Sequence, residues 1–249
     1  MAGKIAYFGD GDLNGAAAYL GGILTHGGFD FTHIPSDSVL PGEIDLEKIS
    51  LFILSDYPAR HLGNEGLRGI SDRVKTGAGL LMIGGWESYH GSGGDYQGTD
   101  IAEILPIIIS PYDDRVNSHE PCLVEAMAPK HPALDGLPWD KVPAVAGFNM
   151  MLAREIASVL LCLHRLDITL SEGQFSYNFI AEHPLLTVGT AGKGRTAAFA
   201  SDVAPHWIGG MVDWGPERLN LHVEVGGEVE IGNWYAKFFQ QLVRWCMGS

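Results

Sequence analysis

Nowhere does the sequence hold the ~20 consecutive apolar residues that a membrane-crossing helix needs. Its opening stretch, Met1 to Phe8, has no charged segment followed by an apolar one, so no secretory signal is expected. Basic side chains are scarce: 16 Lys and Arg stand against 30 Asp and Glu, and the net charge is 16 − 30 = −14. A surface this negative repels phosphate backbones and anionic lipid heads, which argues against nucleic acid and membrane surfaces as partners. The same acidity serves solubility. Cysteine is rarer still. Cys122, Cys162 and Cys246 are odd in number, widely spaced and set in apolar stretches, with no CxxC pair and no metal-ligand spacing. They read as reduced core residues in a reducing compartment, and the cytoplasm is the expected location. Charged residues make up only 18% of the chain against 46% hydrophobic, so a large core is expected and disorder is not. The 249 residues suit one domain over 1–249, with room for an insertion over about 110–185.

What is present is an alternation of strands and helices. Ile5–Phe8 is an apolar run that breaks at Gly9-Asp10-Gly11-Asp12, and Asn14–His26 follows with helical spacing up to the stop at Gly27-Gly28. Phe29–Ile34 alternates as a strand. Leu51–Leu54 and Leu80–Ile83 are buried-strand runs separated by a weaker helix over Leu62–Thr76. Short apolar runs joined by helices predict a doubly wound α/β fold, a parallel sheet with helices on both faces. Further on, Thr99–Leu105 reads as a short helix, and Cys122–Met127, Ala144–Asn149 and about Ala157–Leu163 read as strands. Leu185–Val188 and Arg195–Ala200 flank a glycine-rich turn as a hairpin. Trp234, Phe238, Leu242 and Trp245 recur at three- or four-residue spacing, the core stripe of a C-terminal helix.

Ligands of open parallel sheets bind beyond the carboxyl ends of the strands. Four polar clusters fall at such ends: Asp10-Gly11-Asp12, Asp56-Tyr57-Pro58-Ala59, Gly84–His90 and Ser201–Trp207. The stretch from Gly84 to Gly98 carries six glycines, three aromatics and three ionisable residues, a composition that lets backbone N–H groups approach an anion or serves only as a turn. Glu87 with His90, and Asp202 with His206, are candidate acid–base pairs, because both residue types are tunable near neutral pH. Asp202 also suits a helix cap. Asp10, Asp56, Tyr57, Gly85, Trp86, Ser88 and Trp207 are candidate ligand contacts. Ser88 lacks the G-x-S-x-G frame of a hydrolase elbow. The turn Gly9–Asn14 has Asn where a dinucleotide fingerprint needs its third glycine, and its two carboxylates would repel a pyrophosphate. No cofactor and no metal are expected.

Four segments, LFILSDYPA (51–59), GLLMIGGW (79–86), HPALDGLP (131–138) and GKGRTAAFASDVAPHW (192–207), together with the aromatic C-terminal helix, resemble the glutamine amidotransferase-like domain family. That family lies within the class I glutamine amidotransferase superfamily and is related to trehalose-utilisation-type domains. The resemblance implies a flavodoxin-like sheet and, in active members, a Cys-His-Glu triad. Its cysteine would stand on the turn after Leu80–Ile83, where this chain has Gly84-Gly85-Trp86. Its His-x-Glu pair would follow Arg195–Ala200, where this chain has Ser201-Asp202 and, further along, His206. Neither Gly nor Trp replaces a thiolate nucleophile, so glutaminase activity is not expected.

Three readings follow. The first is a protein that binds a small polar metabolite, a sugar or carboxylated compound, at the strand ends. The second is a hydrolase using a carboxylate–histidine pair, with or without a metal. The third is a non-catalytic interaction protein, a homo-oligomer built through exposed aromatics such as Trp214.

Overall fold

The computed structural model describes residues 3–223 and 226–248. Met1 and Ala2, where the stretch read as free of a signal begins, lie outside them. In chain order the first half runs β1 (Lys4–Gly9), α1 (Ala17–His26), β2 (Phe31–Ile34), β3 (Ile49–Ser55), α2 (Ala59–Thr76) and β4 (Gly79–Ile83). Then come α3 (Asp100–Ile104), β5 (Ile107–Ile109), β6 (Arg115–Ala126), β7 (Ala144–Asn149), β8 (Met151–Ala153), β9 (Ser158–Ser171), β10 (Gln174–Ala191) and β11 (Gly194–Phe199). The chain finishes with α4 (Pro205–Ile208), β12 (Arg218–His222), β13 (Glu228–Gly232) and α5 (Asn233–Cys246).

Nine strands form one mixed sheet in the order β2-β1-β3-β4-β11-β10-β9-β6-β7. The first five are parallel, and β10, β9, β6 and β7 continue the sheet antiparallel. The parallel half has the flavodoxin-like order, in which the chain reverses direction across the sheet between β1 and β3 and leaves a crevice there. The α/β architecture expected from the sequence is thus present, and the segment 115–191 adds strands to the main sheet. β1, β3 and β4 are buried almost throughout, which is why their sequences read as apolar runs without alternation. Helices α1 and α5 pack together, with the β12–β13 hairpin over α1, while α2 packs with α3. In α5, Phe238 and Leu242 are fully buried, and Phe238 stacks near Phe199 of β11 at 5.7 Å between ring centres. Among the described residues no helix is long and apolar enough to cross a membrane.

Some boundaries move for local reasons. α1 starts at Ala17 rather than Asn14, because the Asp12 side chain accepts from the Asn14 N–H and Gly15 N–H bonds the Asp12 carbonyl, closing a turn first. Thr99 caps α3 by accepting from Ala102 N–H at 3.3 Å. β6, β9 and β10 each extend well past the runs that read as strands. The β12–β13 hairpin was not anticipated. Trp214 is buried between Trp139 and Trp234 and donates to the Lys141 carbonyl, so it offers nothing to an interface.

Candidate functional site

The crevice outside β1 and β3 is built from carboxylates. β1 ends at Gly9 and the next residue, Asp10, takes a left-handed φ of 57°. β3 ends at Ser55 and Asp56 follows with φ 45°. Such conformations cost of order 1 kcal/mol or more in a residue with a Cβ and persist only where the surroundings hold them. The surroundings here are specific. Tyr7 Oη donates to Asp10 Oδ2, and Ser55 Oγ donates to Asp10 Oδ1 at 3.0 Å. Asp56 Oδ1 accepts from Glu87 N–H at 2.7 Å, and the Asp56 N–H donates to Ser88 Oγ at 3.0 Å. From the end of β11, Asp202 is 1% exposed; its Oδ1 accepts from the N–H groups of Val203 and Ala204, and its Oδ2 lies 3.2 Å from His206 Nε2.

Electrostatics ties the three aspartates together. Burial is the largest cause raising the pKa of each. The charge of Asp202 adds to it at both Asp10 and Asp56, and the charge of Asp56 adds to it at Asp10. Asp56 rises to about 7, Asp202 to about 6, and Asp10 also rises well above the usual carboxylate range. Near neutrality the cluster therefore holds protonated and ionised carboxyls side by side. Two buried phenols border it. Tyr7 and Tyr235 are pushed well above 10, by burial first and then by these carboxylates.

The turn after β4 forms the third wall. Gly85 N–H donates to Asn149 Oδ1 at 2.9 Å, and Asn149 Nδ2 donates back to the Gly85 carbonyl at 3.1 Å and to Asp114 Oδ1 at 2.8 Å. Asp114 also accepts from the N–H groups of His90 and Gly91, at 3.1 and 3.0 Å. Two buried polar residues from outside the parallel half thus fix the loop. Trp86 is 48% exposed, and the Arg115 guanidinium lies 4.7 Å over its ring. Glu87 pairs with Arg60 at 3.3 Å on the rim.

Asp10, Asp56, Gly85, Glu87, Asp202 and His206 come together at the strand ends, and Trp86 follows Gly85 in the turn. Four candidates do not take the roles expected. His90 lies beside Asp113 and Asp114 rather than pairing with Glu87, whose carboxylate goes to Arg60, and its Nδ1 is buried without a partner among the described residues. Ser88 is buried and donates to the Ile83 carbonyl, so it braces the turn. Tyr57 is 1% exposed, packs on Phe8 and donates to the Ser38 carbonyl. Trp207 offers no face for stacking: it is 2% exposed, donates to Asn117 Oδ1, and lies so close to Gly147 that a Cβ there would sit 2.5 Å from the ring. Asp202 pairs with His206 but does not cap α4: its Oδ1 accepts from the N–H groups of Val203 and Ala204, ahead of Pro205 where the helix begins, and the cap position Ala204 has no side-chain bond. Tyr7, Ser55, Asp114 and Asn149 were not singled out. Ser55 adjoins Asp56 in sequence, whereas Asp114 and Asn149 arrive through tertiary pairing. Among the described residues no three His, Cys, Asp or Glu side chains are arranged to hold a metal ion.

Comparison with known proteins places the fold in a family. The model of the family described as "Putative glutamine amidotransferase" (GATase1_like) matches residues 7–223. The chain belongs to this glutamine amidotransferase-like family. Among solved structures it is similar to the cytoplasmic protein STM3548 of Salmonella typhimurium, at 26% identity over 98% of both chains with a TM-score of 0.74. It is also similar to the cytoplasmic protein STM1381 of Salmonella typhimurium LT2, at 24% identity over 98% of this chain and 99% of that one, with a TM-score of 0.72. A β-galactosidase from Rahnella sp. R3 shares the fold over 97% of this chain and 31% of its own, at 15% identity and a TM-score of 0.54. No curated protein matches the sequence. On this family frame the cysteines lie in β6, β9 and α5, all three buried. The turn after β4 carries Gly84-Gly85-Trp86.

Proposed function

We propose that this glutamine amidotransferase-like protein hydrolyses no glutamine and instead binds a small, neutral, hydroxyl-rich metabolite of the sugar class at the Asp10–Asp56–Asp202 crevice. The observation that carries the reading is the meeting of three carboxyls with raised pKa values at the point where strand order reverses. Asp56, the most open of the three, has a carboxyl that donates and accepts when protonated and accepts twice when ionised, so it matches a sugar hydroxyl in either role, while the buried Asp10 and Asp202 set its charge. A carboxylated ligand is disfavoured, because it would add a negative charge beside groups that already repel one another. Trp86 at the edge supplies an apolar face. The buried cysteines support the absence of a glutaminase: burial pushes Cys162 to about 12 and Cys246 higher still, so neither supplies a thiolate.

The test is a thermal-shift and calorimetric screen against neutral sugars and polyols, sugar acids, and amino acids including glutamine. A ligand at a hundredfold its Kd adds about 2.7 kcal/mol to the stability of the fold. A neutral sugar or polyol is expected to shift the melting temperature, and Asp10→Asn and Asp202→Asn are expected to lose that shift. Equal responses in both variants, or release of ammonia from glutamine, would overturn the reading.

A second reading has its own support. The Asp202–His206 pair at 3.2 Å, beside an Asp56 raised to about 7, has the makings of a general acid–base set for a hydrolase. His206 is half exposed, as a proton-transferring group at a rim would be. Turnover of a hydrolysable glycoside or ester that His206→Ala abolishes, with binding retained, would favour it over binding alone.

A further inference from the structure

Residues 165–183 leave the sheet. β6 pairs with β9 only over Leu161–His164, and β11 pairs with β10 only from Leu186 to Ala191. Beyond those points β9 and β10 pair only with each other and run out as a two-stranded ribbon to the turn at Glu172-Gly173.

The register sorts the side chains of the ribbon. Phe175 faces Leu170, Tyr177 faces Ile168, and Phe179 faces Leu166. The alternate pairs are Gln174 with Ser171, Ser176 with Thr169, and Asn178 with Asp167. Directly opposed residues share a face of a ladder, and neighbours alternate. One face of the ribbon is therefore wholly apolar over three rungs and the other wholly polar, where Thr169 and Ser176 hydrogen-bond at 2.7 Å. The apolar face is largely open to solvent: Leu170 is 63% exposed, Phe175 75%, Tyr177 67% and Phe179 62%. An isolated hairpin is marginal in water, and a ribbon with a dedicated apolar face gains its stability from whatever covers that face.

We propose that a second copy of this chain covers it, the two ribbons packing apolar face to apolar face about a two-fold axis near the Ile168–Tyr177 rung. The area fits. The open parts of these four side chains amount to roughly 500 Å², more than half of the ~800 Å² that each partner of a standard interface buries and within the range of the single largest patch of a monomer, which is often functional. Charge fits as well. Two chains of net charge −14 repel over most of their surfaces, yet no charged residue stands on these three apolar rungs. The patch is also self-complementary, as a two-fold interface must be. At the root of the ribbon Leu123, Ala126, Pro129, Val142 and Phe179 line an open groove of about 350 Å³, whose one carboxylate, Glu125, is paired with His164 at 2.6 Å. With antiparallel ribbons the partner copy's tip, where its Leu170 and Phe175 lie, comes to rest on this groove.

Sedimentation velocity of the full chain, with light scattering at micromolar concentrations, tests the proposal. The expected mass is that of two chains. Phe175→Glu and Tyr177→Glu are each expected to give monomers of unchanged melting profile in the main sheet, and Val142→Glu in the groove is expected to weaken association at least tenfold. Ser176→Glu and Asn178→Glu, on the polar face of the same strand, are expected to leave the dimer intact. A wild-type chain that stays monomeric, a mass other than two chains, or a dimer that survives both apolar-face glutamates would overturn the proposal. Were a monomeric chain to bind phosphatidylcholine vesicles through Phe175 and Tyr177, the face would belong to lipid and the dimer would be excluded.

Discussion

The carboxylate of Asp56 occupies the space in which a side chain on Gly85 would stand: a Cβ there would come 2.2 Å from Asp56 Oδ1. Gly85 also has φ 151°, a conformation that residues with a Cβ rarely adopt. The ends of the neighbouring strands β3 and β4 are thus interlocked at the candidate site. Because Asp56 is held by the Glu87 N–H, it does not swing aside freely. Gly85→Ala is expected to lower stability by about 2–4 kcal/mol through combined backbone strain and steric conflict. Urea unfolding gives the magnitude. A loss below about 0.5 kcal/mol would mean that the loop relaxes more easily than this packing implies.

A pH dependence follows from the raised carboxyls. Unfolded aspartates titrate near ~3.9, whereas Asp202 titrates at about 6 and Asp56 at about 7 in the folded protein. Between those limits the native state binds more protons than the unfolded chain, so the contribution of these groups to stability is full below pH ~4 and is lost as pH rises through about 6 to 7. Asp56→Asn keeps an acceptor for Glu87 N–H and removes the ionisation. It is expected to exceed the wild type by on the order of 1–2 kcal/mol at pH 8 and to match it near pH ~3.5. Paired denaturation curves at the two pH values test this. A gap that shrinks with rising pH would contradict it.

The parallel half of the sheet was legible because its physics is local. Leu51–Leu54 and Leu80–Ile83 are unbroken apolar runs, each ending in residues that turn, so the sequence alone puts Asp56 and Gly85 at strand ends. Aromatic residues were not legible in the same way. Tyr57, Trp207 and Trp214 each have a polar atom whose partner is a distant backbone carbonyl or side chain, and composition does not distinguish a packed ring from an open one. The ribbon was missed for a different reason. Its alternation, Ile168-Thr169-Leu170-Ser171 and Phe175-Ser176-Tyr177-Asn178-Phe179, stands in the sequence, but no buried run marks it. Asp114 and Asn149 reach the site by pairing across more than thirty residues, as Asn149 Nδ2 does with Asp114 Oδ1.

The two tryptophans at the strand ends are expected to behave differently. Trp207→Phe removes a hydrogen bond to Asn117 and part of the packing on Gly147, and a loss of about 1–3 kcal/mol is expected. Trp86→Ala removes an exposed ring under Arg115, with less than about 1 kcal/mol at stake. Ligand affinity should show the reverse order, falling with Trp86→Ala and holding with Trp207→Phe. Isothermal calorimetry beside thermal melts separates the two effects, and a shared order in both measurements would remove Trp86 from the crevice.

Asp114 is the acceptor on which the glycine-rich turn depends. It is 1% exposed and receives three hydrogen bonds, from the N–H groups of His90 and Gly91 and from Asn149 Nδ2. Asn149 in turn holds both polar groups of the Gly85 backbone. Asp114→Ala leaves three buried donors without their acceptor, at about 1–3 kcal/mol for each donor that water does not reach. A net loss of about 2–4 kcal/mol is expected, because some water enters the space. Asp114→Asn retains one acceptor oxygen and should cost less. The distinguishing measurement is amide hydrogen exchange over 84–96: faster exchange there, with the core strands β1 and β3 still protected, is the expected pattern for a turn that has lost its anchor. Uniform acceleration across the sheet would instead make Asp114 a general stability residue, with no particular hold on the wall of the crevice.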